Sequence, residues 1–224
     1  MSGENDFFDA IRGGDAEKIA ALLDAQPDLL KARNAQGQSG VLAAAYSGRA
    51  EIRDLLIARG AALELHEAVA AGQLGRVKQP IEEEPSLAKN ISPDGFPLVA
   101  LAAAFGHKEV AKYLREKGAD VNAMSTNGTG YTALTGAVTG GHREMVEWLL
   151  AEGAEVNYRY GPGYSPLLAA AANGHLEIVK LLLDRGADAQ ARTNDGKTAE
   201  QIAEERKHST VAELLRSRSQ SAKA

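Results

Sequence analysis

Cysteine is absent from the 224-residue chain. Its absence excludes disulfide bonds, thiolate metal sites and a cysteine nucleophile. Aromatic residues make up only 5% of the sequence, and no apolar run reaches the length of a membrane-spanning helix. The first residues carry neither the basic start nor the apolar stretch of a secretory signal. The sequence therefore predicts a cytoplasmic protein without a membrane anchor.

The chain also lacks a basic face and a recognisable catalytic motif. Its formal net charge is -5, with both signs spread along the chain, so no nucleic-acid partner is predicted. The glycines around Gly128 and Gly161 are the nearest approach to a phosphate-binding loop. Neither group is followed by Lys-Ser or Lys-Thr, and we therefore expect tight turns there rather than a nucleotide site.

Histidines are the obvious candidates for acid-base chemistry, and their spacing argues against it. Most of them recur in one register, about one repeat apart, and helix packing places successive repeats roughly 10 Å from each other. That separation is too large for a shared metal. The five residues are His66, His107, His142, His175 and His208. We expect structural roles for all of them, with no catalytic residue, no cofactor and no metal site.

Glycines reveal a repeated unit. In each of four copies a second glycine follows the first after 11 positions, and a third follows 12 positions later. The first glycines of the four copies are Gly37, Gly95, Gly130 and Gly163. A fixed period of this length is typical of repeat proteins.

The residues between these glycines predict two helices in each unit. Leu176–Leu183 shows the clearest amphipathic pattern of a second helix, and Pro166–Ala172 the alanine-rich pattern of a first helix. A glutamate stands three residues after the middle glycine, where the helix dipole favours an acid. The third glycine, followed by alanine, supplies a left-handed helix stop.

The repeated motifs resemble the ankyrin repeat, a β-turn followed by two antiparallel helices. Gly106-His107, the Gly-Ala-Asp-Val-Asn run at 118–122 and Ser165-Pro166-Leu167 are similar to its consensus. The resemblance implies an all-α repeat solenoid of about seven stacked ankyrin repeats, each preceded by a β-turn segment called a finger. It further implies a single domain over 1–216 and a flexible tail over 217–224. The repeats are expected near 5–33, 34–63, 64–90, 91–122, 123–157, 158–190 and 191–216.

The third repeat departs from this pattern. Between Gly60 and Leu65 there is no room for a full finger, and Pro80 stands inside the second helix. Proline removes an amide donor, so we expect a broken or kinked helix there. An offset of 58 residues also relates Pro27 to Pro85, so repeats one and two resemble repeats three and four.

The ankyrin resemblance implies that a partner contacts the finger tips and the ends of the first helices. Aromatic residues and arginine concentrate in the fifth and sixth fingers, and such residues dominate interface hot spots. The tyrosines there have two interpretations, contact with a partner or packing between neighbouring fingers. The partner-binding residues expected are Phe96, Phe105, Met124, Asn127, Tyr131, Tyr158, Arg159, Tyr160, Pro162 and Tyr164.

These features together predict a non-enzymatic scaffold or adaptor. It would bind another protein through its fingers and concave helical face, with a monomer favoured and the partner's identity open. Two alternatives remain. One is a toxin-like effector or enzyme-regulatory subunit with unseen chemistry, and the other is a self-associating structural protein.

Overall fold

A computed structural model describes residues 2–221, and α-helices arranged in seven consecutive pairs account for most of them. The helices of the first four pairs are α1 (Ser2–Gly13), α2 (Ala16–Ala25), α3 (Gly40–Tyr46), α4 (Ala50–Ala58), α5 (Leu65–Ala70), α6 (Leu74–Glu83), α7 (Leu98–Ala104) and α8 (Lys108–Glu116). The last three pairs are α9 (Ala133–Thr139), α10 (Arg143–Ala151), α11 (Pro166–Ala172), α12 (Leu176–Asp184), α13 (Ala199–Glu205) and α14 (Ser209–Ser221). Isolated β-bridges are the only extended pairing in this part of the chain. The predicted all-α repeat architecture is confirmed.

Side-chain caps define where several first helices begin. Ser39, Thr132, Ser165 and Thr198 are N-cap residues, and each side-chain oxygen accepts a hydrogen bond from the backbone N–H three residues later. Such a cap satisfies one of the amide donors that a helix N-terminus leaves unpaired. The short first helices thus have a fixed start even where their alanine-rich sequence offers few long side chains.

The second helices end at glycines in the left-handed conformation. Gly118 follows α8 with a φ of 93°, a backbone angle that a side chain disfavours. The loop after each first helix turns in the same way, and at this position the last pair has Lys207 instead of glycine. Lys207, with a φ of 64°, is the single non-glycine residue with positive φ among residues 2–221.

The chain divides into two compact units, Met1–Lys78 and Gln79–Ala224. In the first unit, the fully buried Phe7 and Ile11 of α1 belong to the same core cluster as Ile19, Ile52 and Leu56 from α2 and α4. The core forms because each helix places its apolar residues on one face. The prediction of one continuous domain over 1–216 stays a prediction.

Helix α6 is continuous through Pro80, so the expected break is wrong. Glu84 donates its N–H to the carbonyl of Pro80, and Val77 donates to Gln73, so regular bonding surrounds the missing amide. Val77 and Ile81 are fully buried, and their burial offsets the lost hydrogen bond. The two segments related by the offset of 58 both form 3-10 helices, Pro27–Lys31 and Pro85–Lys89.

In the second unit the first helices α7, α9, α11 and α13 pack side by side in chain order. Their small residues allow close approach, and Ala102, Ala103, Ala170 and Ala171 are completely buried. Helix α14 extends to Ser221, into the segment predicted as a flexible tail. Residues 222–224 lie outside the described residues.

Candidate functional site

The fingers are short loops closed by antiparallel pairing. Isolated β-bridges join the two ends of four fingers. The fifth finger along the chain is closed instead by a hydrogen bond of 2.8 Å from the N–H of Ser125 to the carbonyl of Tyr131. The closing pairs of the second, fourth, fifth, sixth and seventh fingers are Arg33–Ser39, Ile91–Pro97, Ser125–Tyr131, Tyr160–Tyr164 and Arg192–Thr198.

Neighbouring fingers are connected in two different ways. The N–H of Thr126 donates to the carbonyl of Gly95 at 2.8 Å, joining the fourth and fifth fingers, and the N–H of Asn194 donates to Pro162 at 3.0 Å, joining the sixth and seventh. Between the fifth and sixth fingers the described residues form no such backbone bond. Aromatic rings fill that interval instead.

Tyr160 is the centre of a cluster of rings. Its ring lies 5.1 Å from that of Tyr131 in an edge-to-face arrangement, 6.5 Å from Tyr158 in a parallel stack and 6.4 Å from Tyr164. Phe96 of the fourth finger extends the contact, 6.3 Å from Tyr131. Aromatic pairs at such distances contribute stability beyond their buried area. The tyrosines of the two fingers therefore do pack against one another.

Tyr160 is 8% exposed, and burial raises the pKa of its hydroxyl well above the ordinary value, with Tyr131 and Tyr164 adding to the shift. Tyr131 and Tyr164 are only half-buried. Among the described residues neither of their hydroxyl groups has a hydrogen-bond partner. Both tyrosines thus present a ring and an available O–H.

A groove of about 460 Å³ lies beside these two tyrosines, between the fifth and sixth fingers. Its floor comes from the small residues of α11 and its walls from the two finger tips, and none of the lining residues is charged. The lining residues are Gly128, Thr129, Tyr131, Thr139, Tyr160, Gly161, Pro162, Tyr164, Ala169, Ala172 and Asn173. The groove lies where the backbone bond between fingers is missing and where alanine side chains leave space.

The structure brings together part of the predicted set. Tyr131, Tyr160, Pro162 and Tyr164 line the groove. Phe96 and Tyr158 belong to the ring cluster that supports it. Four of the predicted residues therefore border this groove, and Pro162 and Tyr164 also line a second depression beside the seventh finger. That these residues bind a partner stays a prediction.

The other predicted residues do not line the groove. The ring of Phe105 stacks on His107 at 6.4 Å, and the amide of Asn127 donates to the carbonyl of Asp94 at 2.9 Å. Met124 is exposed and its sulfur accepts a hydrogen bond from the Tyr158 hydroxyl. Arg159 is exposed and donates to the carbonyl of Arg192. Asn127 therefore joins two fingers, while Met124 and Arg159 remain accessible.

Ala169 and Thr129 line the groove but were not among the expected contact residues. Ala169 stands in the middle of α11, where the alanine-rich pattern indicates helix packing and gives no sign of a surface opening. Thr129 belongs to the fifth finger, which is longer than the sixth: Gly118 and Gly153 are 35 positions apart, and Gly153 and Gly186 are 33 apart. This extra length was the available signal.

The histidines occupy repeated structural positions. His107, His142 and His175 are the N-cap residues of α8, α10 and α12. The Nε2 atom of His142 lies 3.0 Å from the carbonyl oxygen of Ala104 in the preceding repeat, and that of His208 lies 3.2 Å from Ala172. Because a carbonyl only accepts, Nε2 carries the proton in these contacts. Within residues 2–221 no three acidic or histidine side chains converge as metal ligands.

The helix pairs, their glycine stops and the interlocked fingers define a repeat protein. Models of ankyrin repeats match residues 65–160 and 149–203, so the chain belongs to the ankyrin-repeat family. Ankyrin repeats are generally protein–protein interaction modules and are generally not enzymes. Among the described residues no helix is both long and apolar enough to cross a membrane.

The chain is also similar to alpha-latrocrustotoxin-Lt1a from Latrodectus tredecimguttatus. The two sequences are 33% identical over 113 residues, which make up 47% of this chain and 8% of the toxin. The chain thus spans a small fraction of that relative's length.

Proposed function

We propose that this protein is a non-enzymatic scaffold that binds a segment of another protein in the groove between its fifth and sixth fingers. The observation that carries the proposal is the pair of half-buried tyrosines, Tyr131 and Tyr164, whose side chains line an uncharged depression and whose hydroxyl groups have no hydrogen-bond partner among the described residues. A tyrosine in this state can bury its ring against an apolar side chain and donate its O–H to a backbone carbonyl. Tyrosine hot spots in interfaces combine these two contacts.

The ring cluster prepares the groove for binding. Tyr160 is buried between Tyr131 and Tyr164, so these two side chains are restrained before a partner arrives. Restrained side chains lose less conformational entropy on binding. The two interpretations of the tyrosines are compatible, because Tyr160 packs between the fingers while its neighbours stay partly exposed.

The alternatives receive less support. The similarity to the Latrodectus protein covers only 8% of that toxin, which is too small a part to support toxin activity for this chain. Self-association remains a second candidate, and sedimentation at increasing protein concentration would separate it from the monomer favoured here. A cytoplasmic location is part of the same proposal.

The experiment first obtains a partner by crosslinking and affinity capture from the native cell. Tyr131→Ala and Tyr164→Ala are then each expected to weaken binding of that purified partner by about 2 kcal/mol. Tyr46→Ala is the matched control, because Tyr46 is also exposed but lies at the end of α3. Unchanged affinity in both groove variants, with loss in Tyr46→Ala, would move the binding site to the first unit.

A further inference from the structure

Four residues occupy equivalent positions on the outside of the fourth to seventh fingers. Each directly precedes a buried residue, namely Ser92, Ser125, Tyr160 or Thr193, which are all less than 9% exposed. Successive residues of an extended segment point to opposite faces, so the preceding residue points outward. We call these four residues the finger row. They are Ile91, Met124, Arg159 and Arg192.

The first half of the finger row is apolar and exposed. Ile91 is 46% exposed and Met124 55%. Apart from Tyr46 in the first unit, they are the only exposed large hydrophobic residues that the described part of the chain contains. A single exposed apolar residue needs no explanation. Here two such residues stand at equivalent positions of neighbouring fingers, which the Thr126–Gly95 hydrogen bond joins.

The second half of the finger row is cationic, and its charges are not neutralised. Arg159 donates to the carbonyl of Arg192, and Arg192 donates to the carbonyl of Gly196 at 2.9 Å. Within residues 2–221 neither guanidinium forms an ion pair with a carboxylate. Carbonyl oxygens orient these side chains but leave the full positive charges available to an acidic partner.

The second finger shows the contrasting case. Arg33 stands at the same position and also donates to the carbonyl four residues later. Its guanidinium is paired with Glu64, the N-cap residue of α5, and with Glu67 in the first turn of that helix. Arg33 therefore binds carboxylates at this position, whereas Arg159 and Arg192 have no carboxylate partner among the described residues.

We propose that the finger row is a second binding surface, separate from the groove, for an acidic segment of a partner protein. The segment carries large apolar side chains over Ile91 and Met124 and Asp or Glu side chains over Arg159 and Arg192. Helix packing puts neighbouring repeats about 10 Å apart. A segment in the polyproline II conformation advances about 3.1 Å per residue with three residues per turn, so every third side chain points to the same side and falls on one finger. None of the four residues lines the groove.

The test is selection of a random twelve-residue peptide display library on the full chain. The wild type is expected to enrich peptides that combine large apolar residues with Asp or Glu. Arg159→Glu together with Arg192→Glu should weaken binding of those peptides at least about tenfold and enrich Lys and Arg instead. Arg159→Lys with Arg192→Lys keeps the charge and should retain the acidic preference. Ile91→Ser with Met124→Ser should remove the apolar preference and leave the acidic one.

Arg206→Glu is the matched control. Arg206 is exposed and lies outside the finger row, and no ion pair involves it among the described residues. An acidic preference that survives the double glutamate variant, or that Arg206→Glu abolishes equally, overturns the inference. So does selection without acidic enrichment.

The result also separates this inference from the groove. Peptides that lose affinity in Tyr131→Ala but not in the double glutamate variant would leave the groove proposal standing and remove the finger row. The reverse pattern would keep the finger row and remove the groove. Melting temperatures of the finger-row variants should match the wild type within a few degrees. Tyr131→Ala loses its ring contacts with Phe96 and Tyr160, so its circular dichroism spectrum at the assay temperature serves to confirm that it is folded.

Discussion

The third and sixth helix pairs cover the start of their first helix with different chemistry. The sixth pair has a full finger before its N-cap residue Ser165, and Tyr160 of that finger packs among other rings. The third pair has no finger, and the guanidinium of Arg33 reaches the first turn of α5 instead. There it bonds Glu64 and the fully buried Glu67. A charge pair from the neighbouring finger thus takes the place of a missing loop.

The second helices of the two pairs also differ in the residues that lower helix stability. Helix α12 contains neither glycine nor proline and buries Ile178, Val179, Leu181 and Leu182. Helix α6 contains Gly75 and Pro80. Both residues lower helix stability, so the third pair depends more on its few buried contacts. The contrast indicates a stable aromatic region and a weaker region near the division between the two units.

The largest loss of stability is expected when the aromatic cluster around Tyr160 is disrupted. Tyr160→Ala removes the ring in contact with Tyr131, Tyr158 and Tyr164 and should cost about 3 kcal/mol in free energy of unfolding. Urea denaturation followed by circular dichroism measures the loss. Tyr46→Ala, at an exposed position, should cost about 0.5 kcal/mol or less. Equal effects of the two substitutions would contradict the central role of Tyr160.

The next largest loss of stability is expected when the ion pair between Arg33 and Glu67 is removed. Arg33→Ala leaves the carboxylate of Glu67 buried without its cation and should cost about 2 kcal/mol. Arg192→Ala is the matched control, since Arg192 makes the same contact to its own loop but pairs with no carboxylate among the described residues. It should cost about 0.5 kcal/mol or less. A double-mutant cycle of Arg33 with Glu67 that shows no coupling energy would refute the claim that this ion pair stabilises the third helix pair in the absence of a finger.

Alkaline pH should also distinguish the two regions. Burial raises the pKa of Tyr160 above the ordinary tyrosine value of 10.0. Above this value the unfolded chain loses the tyrosine proton while the native protein keeps it, so stability falls as pH rises. For one group the slope reaches up to about 1.4 kcal/mol per pH unit. Unfolding measured between pH 9 and about 11 should therefore be less pH-dependent in Tyr160→Phe than in the wild type. Identical slopes would show that Tyr160 ionises freely.

The smallest expected effect is a gain in stability in the third helix pair. Gly75 has an ordinary helical backbone, and a Cβ there would meet no atom within 4 Å. Gly75→Ala should raise stability by about 1 kcal/mol. At Gly60 space is equally open but φ is 90°, so Gly60→Ala should destabilise. In the wild type we expect hydrogen exchange to open residues 73–90 first and Gly75→Ala to slow it. Uniform protection across the middle repeats would show that the third pair is not weaker.

The sequence by itself determined the repeat architecture, because its signals are local. Glycine spacing sets the left-handed stops, amphipathic periods set the helices, and Ser or Thr sets the caps. The two matching 3-10 helices likewise follow from a local feature, because each begins with a proline, Pro27 or Pro85. Each of these features depends on residues within one or two turns of each other.

Only the tertiary structure decided which side chains meet across repeats. Arg33 and Glu67 are 34 positions apart, and their pairing requires the finger before α3 to lie against α5. Helix α6 continues past Pro80 because Val77 and Ile81 are buried, a benefit that helix propensity does not include. The tyrosines of the fifth and sixth fingers satisfy packing and accessibility together, since Tyr160 is buried while Tyr131 and Tyr164 border the groove. Burial of this kind depends on contacts between distant residues, which the local pattern of a finger does not encode.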